Sequence, residues 1–364
     1  MKEPTTPPQA NGPQAPGPGG GRDGTAPKRR GTLTRPWAMA LVAGAAGVVL
    51  AGVAGLAWAA RDGGPAPVRE LDSYPQGGPR PPGQGAWFGA YVEPRDGDHS
   101  QQSQIGAVTD FDRRIGGPMD LVRSYYPWEK PFPREIDQRF AGEGRVMMIG
   151  WGGTGTESIV KGREDDVIRA RARDVKKLGR PVLLAWRGEM DRPNLQKEIG
   201  SPEQYVAAWR RIRGIFHAEG ASNVGWVWCP TVEGFDAGRA GAYYPGDGQV
   251  DWLCADGYAY PELRPPEQVF GSFLNWAKGH DKPVVIGEYG AEEKGGARAE
   301  WLRSFGDYIR REPQVKALAY YDKNHRHNKK TTMYYSLRGH PESMRAFREL
   351  AQSSYFNPDG RMRP

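Results

Sequence analysis

Eight short apolar runs recur between residues 86 and 321: 86–92, 119–125, 145–150, 181–187, 223–229, 250–255, 283–287 and 315–321. Each is bounded by Gly, Pro, Asp or Asn, and each is short enough for a strand buried on both faces. Between many of them, apolar residues return at helical spacing. Residues 158–178 carry Ile159, Val160, Val167, Ile168, Ala170, Ala172 and Val175 amid charge. A helix over 202–218 opens with Ser201 as cap and Pro202 in its first turn. Further helices are expected at 265–279, 297–311 and 341–353. Only the connections after the first two runs lack a clear helical pattern. Eight strands with mostly helical crossovers predict an α/β fold, a (β/α)8 TIM barrel. The alternative is an open, doubly wound sheet.

The N-terminal quarter reads differently. Residues 1–34 are Pro, Gly, Thr, Gln and basic residues with almost no large apolar side chain, so a disordered basic tail is expected. Within 35–60, the 25 residues from 36 to 60 carry no charge, which is enough to cross a bilayer. Lys28, Arg29, Arg30 and Arg35 precede this run, so the positive-inside rule puts the tail in the cytoplasm and the remainder outside. The run is either an uncleaved transmembrane signal anchor or a long signal peptide cut near Ala57–Ala59. Residues 61–84 read as a Pro/Gly-rich linker, and 85–360 as the barrel.

Charge adds an exclusion. Of the formal +7, +4 belongs to residues 1–35, with six Lys or Arg against two acidic groups. The remainder is too near neutral to suggest a nucleic-acid partner. Cys229 and Cys254 lie on successive predicted strands, and an exported protein leaves both a disulfide and two buried thiols open.

The candidate chemistry lies at two strand ends. Glu189 closes Pro-Val-Leu-Leu-Ala-Trp-Arg-Gly-Glu-Met, and Glu288 closes Lys-Pro-Val-Val-Ile-Gly-Glu-Tyr-Gly. They follow the fourth and seventh runs, opposite one another around a barrel, at its catalytic face. Two carboxylates meeting there suit cleavage of a glycosidic bond. Trp128, Trp151, Trp228 and Tyr321 lie in or just past strands and are candidate sugar-stacking platforms. The run Gly150–Gly155 fits G-x-G-x-x-G. It follows the third strand, however, and no acidic residue closes the next strand about 20 positions on, so it reads as a loop at the mouth and a nicotinamide-dependent oxidoreductase is the weakest reading. His325 and His327 sit in a basic loop near Asp322 and suggest no metal set. No metal or other cofactor is expected.

The runs Arg-Gly-Glu-Met-Asp (187–191), Val-Asp-Trp-Leu-Cys-Ala-Asp-Gly-Tyr (250–258) and Lys-Pro-Val-Val-Ile-Gly-Glu-Tyr-Gly (282–290), with the stretch from Ser201 to Trp228, resemble glycoside hydrolase family 26. That family contains retaining endo-β-mannanases and related β-glycanases on (β/α)8 barrels. The resemblance implies Glu189 as general acid/base, Glu288 as nucleophile, and Asp256 and Tyr258 as a pair at the end of strand six. In the family this Tyr hydrogen-bonds the nucleophile. The chain departs from the family at strand four. Gly188 stands where a His is usual, Asp191 where an Asn is usual, and Ala185 at an upstream Arg position. Arg187 and Asp191 are expected near substrate, with the Arg187 charge lowering the pKa of Glu189. The expected protein is a monomeric, extracytoplasmic hydrolase of β-mannan or a related β-glucan, tethered by one N-terminal helix or secreted. The alternative is a weak or inactive barrel that binds cell-surface glycan without cutting it.

Overall fold

A computed structural model describes residues 71, 73, 77–95, 97–326 and 332–362. The disordered tail expected over 1–34, the membrane segment expected over 35–60 and His327 lie outside them. Among the described residues no helix is long and apolar enough to cross a membrane.

Eight parallel strands close into a barrel in sequence order. They are β1 (Trp87–Val92), β2 (Leu121–Tyr126), β3 (Val146–Trp151), β4 (Val182–Trp186), β5 (Val224–Trp228), β6 (Trp252–Ala259), β7 (Val284–Ala291) and β8 (Val315–Asp322). All eight predicted runs are present, and the open sheet is excluded because β8 pairs with β1 from Trp87↔Ala317 to Val92↔Asp322. Among the described residues ten α-helices accompany the strands: α1 (Gln101–Ile115), α2 (Glu135–Gly142), α3 (Thr156–Val160), α4 (Asp165–Leu178), α5 (Gln196–Ile199), α6 (Pro202–Ala218), α7 (Val232–Asp236), α8 (Pro266–Ala277), α9 (Ala297–Arg310) and α10 (Pro341–Gln352). A small hairpin, β9 (Asn324–Arg326) with β10 (Thr332–Tyr334), follows β8. The helix α6 starts where the sequence places it. Ser201 Oγ accepts from Gln204 N at 3.3 Å while Gln204 Oε1 accepts from Ser201 N at 3.0 Å, a reciprocal capping box.

The helices α1 and α2 fill the two connections whose pattern was unclear. The buried apolar positions of α1, Ile105, Val108, Phe111 and Ile115, start only in its second turn, after Gln-Gln-Ser-Gln, which shortens the apolar stripe. The helix α2 has only eight residues, too few for periodicity to stand out. Gly78 and Pro79, in the segment read as linker, are buried. A Cβ on Gly78 would lie 2.3 Å from Gly225 N, so only glycine permits this close approach to β5.

Strand alternation sorts the core into two layers. Outward residues such as Val122, Ile149, Leu184 and Ile286 pack under the helices. Inward residues, among them Trp87, Leu121, Met148, Leu183, Val227, Trp252 and Val285, fill the barrel. Trp87 stacks on Trp252 at 5.7 Å, forming part of that inner fill. Above it the inward positions become polar, and the site begins.

Candidate active site

The inward parity of β2 is Leu121, Arg123, Tyr125, and that of β6 is Trp252, Cys254, Asp256, Tyr258. On β7 it breaks. Ala255 pairs with Ile286 and Asp256 with Glu288, so Gly287 is an extra residue in the ladder. Unbulged, Glu288 would share the outward side of Ile286. The bulge re-aims it into the mouth, while Tyr289 turns out to stack on Phe305 at 4.3 Å. Position 287 has no room for a side chain. A Cβ there would meet Cys254 Sγ at 2.4 Å, Arg123 Nη1 at 2.5 Å and Asp256 Oδ1 at 2.5 Å.

Glu288 is held by three groups. Tyr125 Oη donates to Oε1 at 2.6 Å, Tyr258 Oη donates to Oε2, and Arg123 Nη2 lies 3.4 Å from Oε1. Arg123 is buried. It also donates to the Gly287 carbonyl and sits 3.6 Å from Asp256 Oδ1. Its guanidinium lies 4.9 Å from the Tyr125 ring centroid. Beneath, Cys229 and Cys254 form a disulfide between β5 and β6, which settles the open question of their pairing. Its Cys229 sulfur lies 3.3 Å from Asp256 Oδ1. Burial and the Glu288 charge push Asp256 well above the usual carboxylate range, against the pull of Arg123.

Glu189 sits on a strained turn. Arg187 and Glu189 both have positive φ, 49° and 60°. That conformation is costly for residues with a Cβ. Neighbouring strands hold it: Arg187 N donates to Trp151 O at 2.9 Å and Glu189 N to Cys229 O at 2.7 Å. Burial, then the Glu288 charge, raise Glu189 to about 7, while Arg192, which donates to Oε1, pulls the other way. One oxygen from each of Glu189, Asp256 and Glu288 lies within 4.8 Å of the other two. Three such oxygens also form a donor set for a hard cation. Here Arg123 and Arg192 already bring positive charge to them. A cavity of about 320 Å³ opens on the pair, lined by Arg123, Tyr125, Trp151, Gly188, Glu189 and Glu288 among others. A larger one, about 670 Å³, lies elsewhere, against Arg210, Arg213, Val224 and Asp251, with no carboxylate pair.

The structure brings Glu189, Glu288, Asp256, Tyr258 and Tyr321 together. Tyr321 is half-buried, 5.9 Å from Tyr258 and stacked on Tyr91 at 5.4 Å. Other expectations are corrected. Arg187 lines the same cavity as Glu189, as a residue near substrate would, but its charge is spent elsewhere than on that carboxylate. Its guanidinium pairs with Glu198 at 2.5 Å, and its stem crosses Gly153, where a Cβ would sit 2.3 Å from Cδ. The glycine-rich loop thus makes room for Arg187, and Gly150 for the Tyr125 ring. Asp191 is buried and spent on Thr231, accepting from its N at 2.9 Å and from its hydroxyl, so it shapes the start of α7 instead of meeting substrate. Trp228 is fully buried on the outer face of the barrel among Phe235, Tyr244 and Trp276. Trp128 and Trp151 stack on each other at 4.3 Å and 2°, so each covers one face of the other; only Trp151 also lines the cavity. His325 is paired and lies in the hairpin.

Arg123, Tyr125 and Arg192 were missed. A lone Arg inside the apolar run Leu-Val-Arg-Ser-Tyr was a legible signal, because a buried cation requires an acidic partner. Arg192 follows Glu189 by three residues, but only the turn shows that they meet.

No family model matches the chain. Among curated proteins it is 27% identical over 293 residues to endoglucanase H of Acetivibrio thermocellus, covering 75% of this chain and 31% of that protein. It is 30% identical over 138 residues to a β-1,3-xylanase of a Vibrio species, 36% of this chain and 28% of that protein. The chain thus matches less than a third of the length of these relatives. Solved structures with the same fold include a GH26 β-mannanase of Bacteroides ovatus, with TM-score 0.57, 18% identity, 75% of this chain and 90% of that one. Another is a β-mannanase from a symbiotic protist of the termite Reticulitermes speratus, with TM-score 0.53, 14% identity, 79% of this chain and 96% of that one. The chain resembles glycoside hydrolase family 26 in its strand-end motifs and has the barrel fold of the family's solved β-mannanases.

Proposed function

We propose that this chain is a retaining glycoside hydrolase of a β-linked polysaccharide, a β-mannan or related β-glucan. The observation that carries the reading is the pair Glu189 and Glu288, with oxygens within 4.8 Å across one open cavity. Retaining enzymes hold their carboxyl groups about 5–5.5 Å apart and inverting ones about 6.5–9.5 Å, so the spacing favours retention. The environments assign the roles. Glu189, raised to about 7, holds a proton near neutrality and suits the general acid. Glu288, fixed by two phenol donors and a guanidinium, is aimed and held as a nucleophile.

In the first step the Glu189 carboxyl protonates the glycosidic oxygen while a Glu288 oxygen attacks the anomeric carbon. The alcohol leaves and a glycosyl ester remains on Glu288. Glu189, now ionised, takes a proton from water, whose oxygen attacks the same carbon and frees Glu288. The names of the relatives, an endoglucanase, a β-1,3-xylanase and β-mannanases, support a β-glycan substrate. The charge-free run over 36–60 and the basic residues before it support a single-pass anchor, or a cleaved signal, with the barrel outside the cytoplasm. We take the barrel to act as a monomer.

The test is the anomer first formed. Proton NMR of fresh digests of β-mannan and β-glucan should show the β-anomer before mutarotation. An α-anomer as first product overturns retention. Absence of reducing ends from every substrate, with binding retained, would favour a glycan-binding barrel.

A further inference from the structure

Beside the catalytic cavity lies a second one, of about 340 Å³. The two share Arg123, Tyr125, Tyr126 and Pro127 in their linings, so they adjoin at the Tyr125 side chain. That ring carries the hydroxyl that donates to Glu288. A glycan in the catalytic cavity would therefore have this pocket within reach of a neighbouring sugar or of a substituent on the reacting one.

The lining has a one-sided charge. His99, Arg123, Lys130 and Arg134 contribute to it, together with Gln101 and Gln104, and no Asp or Glu does among the described residues. Two of these cations are already used. Arg123 faces Asp256 and Glu288, and His99 lies 3.5 Å from Glu93. Lys130 and Arg134 are exposed, and neither side chain has an acidic partner within ion-pair distance among the described residues. The acid beneath, Asp137, is buried and committed to Ser124, Tyr126 and the Arg134 backbone N. Two exposed cations, of which Arg134 also acts at longer range on buried Asp137, flank a polar pocket with amide groups at its edge and suit an anionic group. A neutral sugar hydroxyl has no need of them.

We propose that this pocket receives an anionic substituent of the glycan, a carboxylate or a sulfate ester, held by Lys130 and Arg134. The inference rests on the hydrolase reading for where the glycan lies, and it narrows the substrate class to acidic β-glycans. Because the cations are exposed, the preference is screened by salt.

The experiment uses the full chain, the variant Glu288→Gln and the double variant Lys130→Gln/Arg134→Gln. Probes are β-mannan and β-glucan oligosaccharides, each neutral, oxidised at C6 to the uronate, or sulfated. Calorimetry with Glu288→Gln measures binding without turnover, so this arm stands even if no glycan is cut. The uronate or the sulfate should bind at least about tenfold tighter than its neutral parent at low salt. The double change, added to Glu288→Gln, should abolish that ratio. Hydrolysis by wild type and by the double variant should show the same loss of charged-over-neutral preference, read in KM. The uronate and sulfate arms tell the two sources apart. Equal binding of neutral and charged probes, or a charge preference that survives the double change, overturns the proposal. Absence of turnover with the binding preference intact overturns only the hydrolase reading.

Discussion

The two walls of the mouth hold their glutamates in opposite ways. Glu288 comes from a strand, is aimed by a bulge, and is gripped by Tyr125, Tyr258 and Arg123, all three on other strands. Glu189 comes from a turn of positive-φ residues just past β4 and has one side-chain partner, Arg192, three residues away and 44% exposed. One wall braces its carboxylate from neighbouring strands; the other is local and strained, and burial raises its glutamate to about 7. A double displacement needs this asymmetry. The nucleophile must stay ionised and in place, whereas the acid must give up a proton and take one back.

The deepest break in the comparison is Glu288→Gln, which keeps shape and removes the proposed nucleophile. Turnover should fall by about 10⁴-fold or more, with the fold unchanged by circular dichroism. Residual activity within tenfold of wild type would remove Glu288 from its role. The same change takes away a charge that raises Glu189, so the Glu189 carboxyl should titrate lower by NMR.

Tyr258→Phe tests the grip itself. A hydrogen bond to a charged group contributes about 1.5–3 kcal/mol, so kcat should drop about 10- to 100-fold. Tyr125→Phe removes the companion donor and should act on kcat in the same direction. If neither change moves kcat, Glu288 needs no such support and the braced-wall account fails.

How much of this was legible follows from what each signal depends on. The barrel was readable because eight strands each carry a short, mainly apolar run, which needs no neighbour to be recognised. Glu189 and Glu288 were readable because they end such runs. The Arg187 partner and the Trp228 face escaped for different reasons: parity cannot be carried past a strand, and within a strand it does not say which face is the inside. Arg187 stands after β4 has ended, on a positive-φ turn that sends its side chain to Glu198. Trp228, on β5, faces outward, opposite in parity to Cys229. The bulge at Gly287 is equally invisible in the sequence, because a glycine before a glutamate has many other uses.

Gly287→Ala sharpens the comparison from the side of packing. Its Cβ would enter a space already filled by the disulfide, Arg123 and Asp256. Overpacking of this kind costs about 1–3 kcal/mol. The expected result is a lower melting temperature together with a lower kcat, since Glu288 moves with the bulge. An unchanged melting temperature would mean that the ladder relaxes freely there. Gly188→Ala is the matched control on the other wall. The nearest atom to a Cβ at 188 is Cys229 O at 3.6 Å, an ordinary contact, so stability should change little.

The smallest effect belongs to Arg192, and its sign separates the two walls. Glu189 lies at about 7 although Arg192 pulls it down. Replacing the cation, as in Arg192→Met, should therefore raise Glu189 further. Since the acid must be protonated to assist departure of the sugar, kcat/KM falls as pH rises through about 7 in wild type, and this limb should move to higher pH in the variant. Stability follows the same group. The folded state holds the Glu189 proton at pH values where the unfolded chain, with an ordinary glutamate near 4.5, has released it. Its contribution is thus full below about 4.5 and is lost as pH rises through about 7. Arg192→Met should carry that loss to higher pH, and Glu189→Gln should erase it. A basic limb that stays in place, or moves down, when Arg192 is replaced would show that some other group sets it, and Glu189 would no longer be the acid.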